Sequence, residues 1–337
     1  MQYPEVKKAH IVPVSYLNNF AQDNQLGVRL VKDGSAFNEA PRDVGWRKDY
    51  YARTRPNGER IDDVEWAISQ IEAEAAQVLR EVEQRWPLSD EDKLVLAKFA
   101  ALQLLRVPRF RAWQEEQLEK SISEMKSEEG LDSLTEQYGQ YVGESSVTRV
   151  AEHLRSDTQQ HVRVLALIGK IGSILGSMHW TLLRFRSPVI ATSDHPIHVW
   201  YSERRSSTPM PARRGAGMLK TLEVRLPLSP RLALLMTWLP QPDPDVPTPG
   251  ARHHPKNLNA FTVAEAEQHW FHLPDTKPPV GTEEFLPLSG DLYRGYDAAT
   301  AWNSPLRQQV SRNIQPKIGA DLADSTELTI TRVRAPT

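Results

Sequence analysis

The run Leu94–Leu105, LVLAKFAALQLL, is apolar on every side of a helical wheel except at Lys98 and Gln103. A helix of that kind cannot lie on a surface with one wet face, so the rest of the chain has to wrap it. With 337 residues, 39% of them hydrophobic, the chain is long enough to do so. Ser89 with Asp92 forms the capping signal at its start, just after Pro87 closes the helix before it. Pro108 is expected to kink it beside Gln103 and Arg106, leaving backbone carbonyls free near both. The helix is then expected to continue through the charged run Gln114–Glu129 and to break at Gly130.

The neighbouring helix is as legible. Asp62 followed by Glu65 has capping-box spacing, and Val64, Ile68, Ile71, Ala75, Val78, Leu79 and Val82 form a helical stripe. Glu72 falls at the edge of that stripe, while Glu74, Glu81 and Glu83 fall on the solvent side. Two or three further helices are expected over Leu131–Gly176, where Gly169, Gly172 and Gly176 imply close packing against another backbone. From Trp180 the pattern changes to short β-rich segments: Thr181–Phe185, Val189–Thr192, Ile197–Tyr201, Leu222–Leu226 and Leu232–Trp238. His10–Val12 reads as extended chain that adds to this sheet. Pro13 then opens a helical turn that faces Tyr16, Leu17 and Phe20 inward.

The expected fold is α+β, predominantly helical with a small, largely antiparallel sheet. One domain is expected over 8–272, with a helical part at about 60–178, a sheet part at about 179–240 and a closing helix over Asn257–Phe271. Residues 275–337 read as an irregular extension with one strand at Leu328–Val333.

Absence of cysteine excludes disulfides, thiolate metal sites and a cysteine nucleophile, and fits a reducing, cytoplasmic setting. A net charge of -2 gives no global pull toward nucleic acid or membrane. No signal peptide is readable at the start, and Val162–Leu183 is interrupted by Arg163, Lys170 and His179, so no membrane span is expected. No P-loop, dinucleotide fingerprint, nucleophile elbow or zinc spacing occurs. The basic loop Glu203–Lys220 reads as a solvated loop or as a local phosphate-binding patch.

The candidate site centres on Val189-Ile-Ala-Thr-Ser-Asp-His-Pro196, a short strand running into Ser193, Asp194 and His195. Asp194 reads either as a strand-end turn residue accepting backbone N–H groups, or as a metal ligand or general base. Glu72 and Arg106 read either as a buried ion pair holding two helices, or as a catalytic carboxylate and an anion clamp. His10, Glu72 and Asp194 have the donor types of a Mn, Mg or Fe site should they converge. Gln103, Ser193, His195 and Asn259 are the residues expected to bind or orient.

Taken together, His10-Ile-Val-Pro13 with Tyr16, Leu17 and Phe20, the Ile71-Glu72 helix, Gln103, Arg106 and Pro108, Thr192-Ser193-Asp194 with Pro196, Pro227-Leu-Ser-Pro230 and the Asn259 helix resemble DUF4238. This is a family of uncharacterised proteins found largely in bacteria. The likeness runs over about Lys8–His272. The family often has Asn at the position after Asp194, where this chain has His195, so no mechanism is rested on that imidazole alone. The resemblance implies no established activity.

Two functions stand as expectations. One is a hydrolase-like, metal-dependent site cutting a phosphate ester, nucleic acid included, with Glu72 and Asp194 binding metal or acting as base. In it His10 ligates or shuttles a proton, and Arg106 stabilises negative charge. The alternative is a non-catalytic module that binds an anionic small molecule or a partner protein, its polar residues forming a structural network.

Overall fold

The computed structural model describes residues 7–54, 57–139, 141–155, 157–201, 221–240, 245–281, 288 and 304–311. The basic loop at 203–220 and the expected strand at 328–333 lie outside these residues. The chain starts with β1 (Lys8–His10) and a short helix α1 (Val14–Leu17), whose Tyr16 and Leu17 are buried along with Phe20 just beyond. Then come β2 (Leu26–Leu30), β3 (Ala36–Glu39), β4 (Trp46–Lys48), β5 (Arg53–Thr54) and β6 (Arg60–Ile61). The helices α2 (Asp63–Glu81), α3 (Asp90–Leu105), α4 (Pro108–Lys126), α5 (Glu128–Tyr138), α6 (Glu144–Arg155) and α7 (Asp157–Ser177) follow in succession. The last part alternates β7 (His179–Arg184), β8 (Thr192–Ser193), β9 (His198–Tyr201), β10 (Thr221–Ser229), β11 (Leu232–Thr237), β12 (Thr248–Pro249), α8 (His254–Glu265) and β13 (His269–His272). Helix outweighs strand, and the class is α+β.

The centre is α3, with Leu96, Ala97 and every residue from Phe99 to Leu105 buried. Ser89 caps it by accepting the Asp92 N–H at 3.1 Å, and three acidic residues in its first turn meet the positive end of the helix dipole. Its most extensive partner is α7. A Cβ on Gly172 would stand 3.3 Å from Lys98 Cα, so the glycine is what lets the two helices approach so closely; Gly169 has open space. Pro108 does not kink one long helix. It pushes Val107 into extended backbone (φ -66, ψ 141) and begins a separate helix, because the residue before proline avoids the helical region. The next break likewise falls at Ser127, which caps α5 by accepting the Gly130 N–H; Gly130 lies inside α5.

A five-stranded sheet, ordered β12-β7-β11-β10-β9, is antiparallel except for β12 beside β7. Strand alternation splits its faces. Leu182, Leu234 and Met236 join the helical core, while Leu183, Ala233 and Leu235 meet Leu258 of α8 on the other side. The helices and α8 therefore sandwich the sheet, which is why β10 and β11 are almost wholly buried. On the α8 side Glu223 and Arg225 form a fully buried ion pair, and Arg225 also reaches Asn257 at 2.7 Å.

Four further expectations need correction. His10–Val12 does not join the central sheet: β1 pairs with β4, His10 opposite Trp46. The strand expected over Val189–Thr192 shrinks to Thr192–Ser193. It joins a second antiparallel sheet, β3-β2-β13-β8, assembled from distant parts of the chain. The closing helix ends at Glu265, and Trp270 and Phe271 belong to β13, because Ala266 turns to extended backbone (ψ 136). Within the stretch expected to be irregular, 305–311 is helical and Val310 reaches the main core.

Candidate functional site

Helix α2 places Glu65 and Glu72 seven residues apart, two turns along one face. Opposite them stands Arg106 at the C-terminal cap of α3, its side chain fully buried. Nη1 of Arg106 donates to Glu72 Oε1 and Nε donates to the Ile11 carbonyl. The Arg106 guanidinium thus holds α2, α3 and the segment after β1 together. The capping box predicted for Asp62 and Glu65 does not form. The Asp62 carboxylate instead accepts two N–H groups of Arg60, at 2.9 Å each, which leaves Glu65 to turn toward the Arg106 cluster.

The electrostatics of this cluster are uneven. Burial pushes the Glu65 carboxyl up to about 7, with Arg106 opposing the rise and Glu72 adding to it. Burial also holds His10 below its ordinary value, although its Nε2–H donates to the Arg42 carbonyl at 3.2 Å; Arg106 lowers it further and Glu72 raises it. Tyr51, almost fully buried, is pushed up by the same desolvation. Several buried atoms find no hydrogen-bond partner among the described residues: Glu65 Oε2, Arg106 Nη2 and both amide atoms of Gln103, one turn before Arg106. Most buried polar groups in folded proteins are paired, so these atoms are where a water or a ligand would bond.

Asp194 is engaged differently. Its carboxylate accepts the backbone N–H groups of Glu267 (2.8 Å), Gln268 (2.7 Å) and His269 (2.9 Å), clamping the turn between α8 and β13. Burial raises its pKa, and these three bonds offset part of the rise. This is the turn-residue reading of Asp194. Glu267 in turn caps α4 by accepting the Arg109 N–H at 2.8 Å. A cavity of about 30 Å³, room for roughly one water, lies between Asp194, Glu267, Ile11, Gly45 and Pro108. Ile11 therefore borders both halves of the predicted site and separates them.

Asn259 and Ser193 have structural partners, whereas neither ring nitrogen of the buried His195 has a hydrogen-bond partner among the described residues. Asn259, fully buried, accepts the Ala191 N–H (2.9 Å) and donates to the carbonyls of Val189 (2.8 Å) and Pro279 (2.9 Å). Its amide bonds the backbone of 189–191 on one side while the N–H groups of Val189 and Ile190 reach the Pro230 carbonyl, at 2.9 and 3.0 Å, on another. Ser193 Oγ donates to the His195 carbonyl at 2.8 Å in a local turn. His195 is buried with Nδ1 3.8 Å from Glu265 Oε2, and desolvation, with Arg109 nearby, takes its imidazole down to about 4. Glu265 itself pairs with Arg109 at 3.0 Å.

The structure thus brings His10, Glu72 and Arg106 together and gives Asp194, Ser193 and Asn259 framework bonds, with His195 buried beside Glu265. Among the described residues no three His, Asp or Glu side chains are gathered closely enough to hold a metal ion, so His10, Glu72 and Asp194 do not form a ligand set. Also among them, no helix is long and apolar enough to cross a membrane. Sequence reasoning missed Glu65 and Tyr51. The signal for Glu65 was its seven-residue spacing from Glu72, hidden because its position also suited a cap.

No curated protein and no solved structure matches the chain. The profile of one family does, that of proteins of unknown function DUF4238, over residues 8–276. The chain belongs to the DUF4238 family.

Proposed function

We propose that this protein is a hydrolase-like enzyme acting on a phosphate ester at the Glu65–Glu72–Arg106 cluster. The observation that carries the reading is a half-buried pair of carboxyls beside a buried guanidinium whose Nη2 has no partner among the described residues. Two carboxyls with unlike environments divide into an acid and a base. Glu65, titrating at about 7, holds a proton near neutral pH and gives it to the leaving oxygen. Glu72, or His10 as a neutral imidazole, takes the proton of the attacking water. Arg106 Nη2 and the Gln103 amide, which have no partner among the described residues, are the donors assigned to the charge that builds on the phosphoryl oxygens. Nucleic acid is one such substrate, and a cytoplasmic setting fits a chain without cysteine.

The test is turnover of bis(p-nitrophenyl) phosphate with and without Mn²⁺ or Mg²⁺, comparing the wild type with Glu72→Gln and Arg106→Lys variants checked for folding. Losses of about 10²-fold or more are expected; turnover absent from the wild type, or equal in all three, refutes the enzyme. A second reading, a non-catalytic module that binds an anion at the same cluster, is favoured by the structural bonds of Asp194 and Asn259. It predicts phosphate binding that is lost in Arg106→Lys and no turnover at all.

A further inference from the structure

The opposite end of α3 carries a second site. A cleft of about 300 Å³ opens between the α2–α3 connection, the first turn of α3, the start of β7 and Pro240, three residues beyond β11. Its walls are Trp86, Pro87, Leu88, Trp180 and Pro240, and its two nitrogen-bearing polar members are Lys93 and His179. Thirteen residues of chain from Lys93 to Arg106 put it about 20 Å from the Glu72–Arg106 cluster at 1.5 Å per helical residue.

The charges are what give the cleft a direction. Lys93 is half-buried, spends one N–H on the Met178 carbonyl at 3.0 Å and stands 5.5 Å from the centre of the Trp180 ring. Trp180 is itself pinned by its Nε1–H to Leu175 at 2.8 Å, so the aromatic wall is rigid. His179 sits beside Lys93 and feels its charge; burial, and then Lys93, lower its pKa. Neither Lys93 nor His179 makes an ion pair among the described residues, and the carboxylate that acts on Lys93 is Asp90. One partly desolvated ammonium against indole and proline surfaces, with two N–H groups unengaged among the described residues and a neutral imidazole beside it, suits an anion with an apolar body.

We propose that this cleft binds a small aromatic carboxylate, its ring against Trp86 and Trp180 and its carboxylate on Lys93 Nζ and the His179 ring. The volume lies at the lower end for small-molecule pockets, which admits one fused ring system. The site is independent of the hydrolase reading, and failure of either leaves the other standing.

The experiment is calorimetric titration of the full-length protein with indole-3-acetate and with its neutral isostere indole-3-acetamide. The expected result is saturable binding of the acetate, at least ten-fold tighter than the amide, with the preference abolished in Lys93→Met and reduced in His179→Gln. Should Lys93→Met fail to fold, His179→Gln and Leu88→Glu, which sets a negative charge in the cleft, carry the test alone, both weakening the acetate. Equal binding of acetate and amide, no saturable binding, or variants that leave the acetate affinity unchanged overturns the proposal. Binding of a hexaproline peptide in place of the acetate also overturns it, and assigns the cleft to a proline-rich partner.

Discussion

Replacing Asp194 by alanine removes the acceptor of three backbone N–H groups at 2.7–2.9 Å and leaves them facing an apolar methyl. An orphaned buried donor costs about 1–3 kcal/mol. Gln268 is exposed, so water can reach its N–H once the turn loosens, and the cost falls mainly on Glu267 and His269. Burying the carboxylate was itself unfavourable, as its raised pKa indicates, and its removal returns part of the loss. The net expectation is destabilisation of about 2–4 kcal/mol, measured as a lower urea midpoint at unchanged slope. Asp194→Asn keeps one acceptor and turns a donor toward an N–H, so it falls between wild type and alanine. Hydrogen exchange locates the damage: the amides of 267–269 lose protection while those of α3 fall only with global stability. A loss under about 1 kcal/mol with those amides still protected refutes the clamp.

Three further outcomes follow from the same geometry. Asn259→Ala breaks three buried bonds at once and is expected to cost about 2–4 kcal/mol in urea unfolding, with exchange increasing first at Ala191. His195, at about 4 in the fold against 6.5 in the unfolded chain, favours the native state above pH 6.5. That advantage is lost as pH falls from 6.5 to 4, about 3 kcal/mol in all, and His195→Gln unfolding curves are expected to lack this part of the slope. Glu65 has the opposite sign: raised to about 7, it lowers stability as pH rises from 4.5 through 7, so Glu65→Gln is expected to be more stable than wild type at pH 8.5, by about 1–3 kcal/mol.

What was legible in the sequence followed from local periodicity. The α2 stripe and the all-round apolar α3 could be read because each residue's burial is set by neighbours three and four places away. The pairings of the sheet β3-β2-β13-β8 could not, because they join residues 26–39 with 192–193 and 269–272, far apart in the chain. Trp270 and Phe271 read as helix for the same reason: neither glycine nor proline marks the exit from α8, and the α8–β13 turn is held by the distant Asp194. At the site, the Glu72–Arg106 pair was visible as a helix-edge carboxylate and a buried arginine. Separating Asp194 from it needed the path of Ile11, which the sequence does not encode locally.

The most direct test of the acid–base site is the pH dependence of phosphodiester turnover in wild type and Glu65→Gln. If Glu65 is the acid, wild-type kcat falls as pH rises past about 7. The variant then loses about 10²-fold or more at pH 6 and shows no fall in that range. A wild-type profile flat across pH 7, or a Glu65→Gln profile that keeps the same fall, contradicts the account.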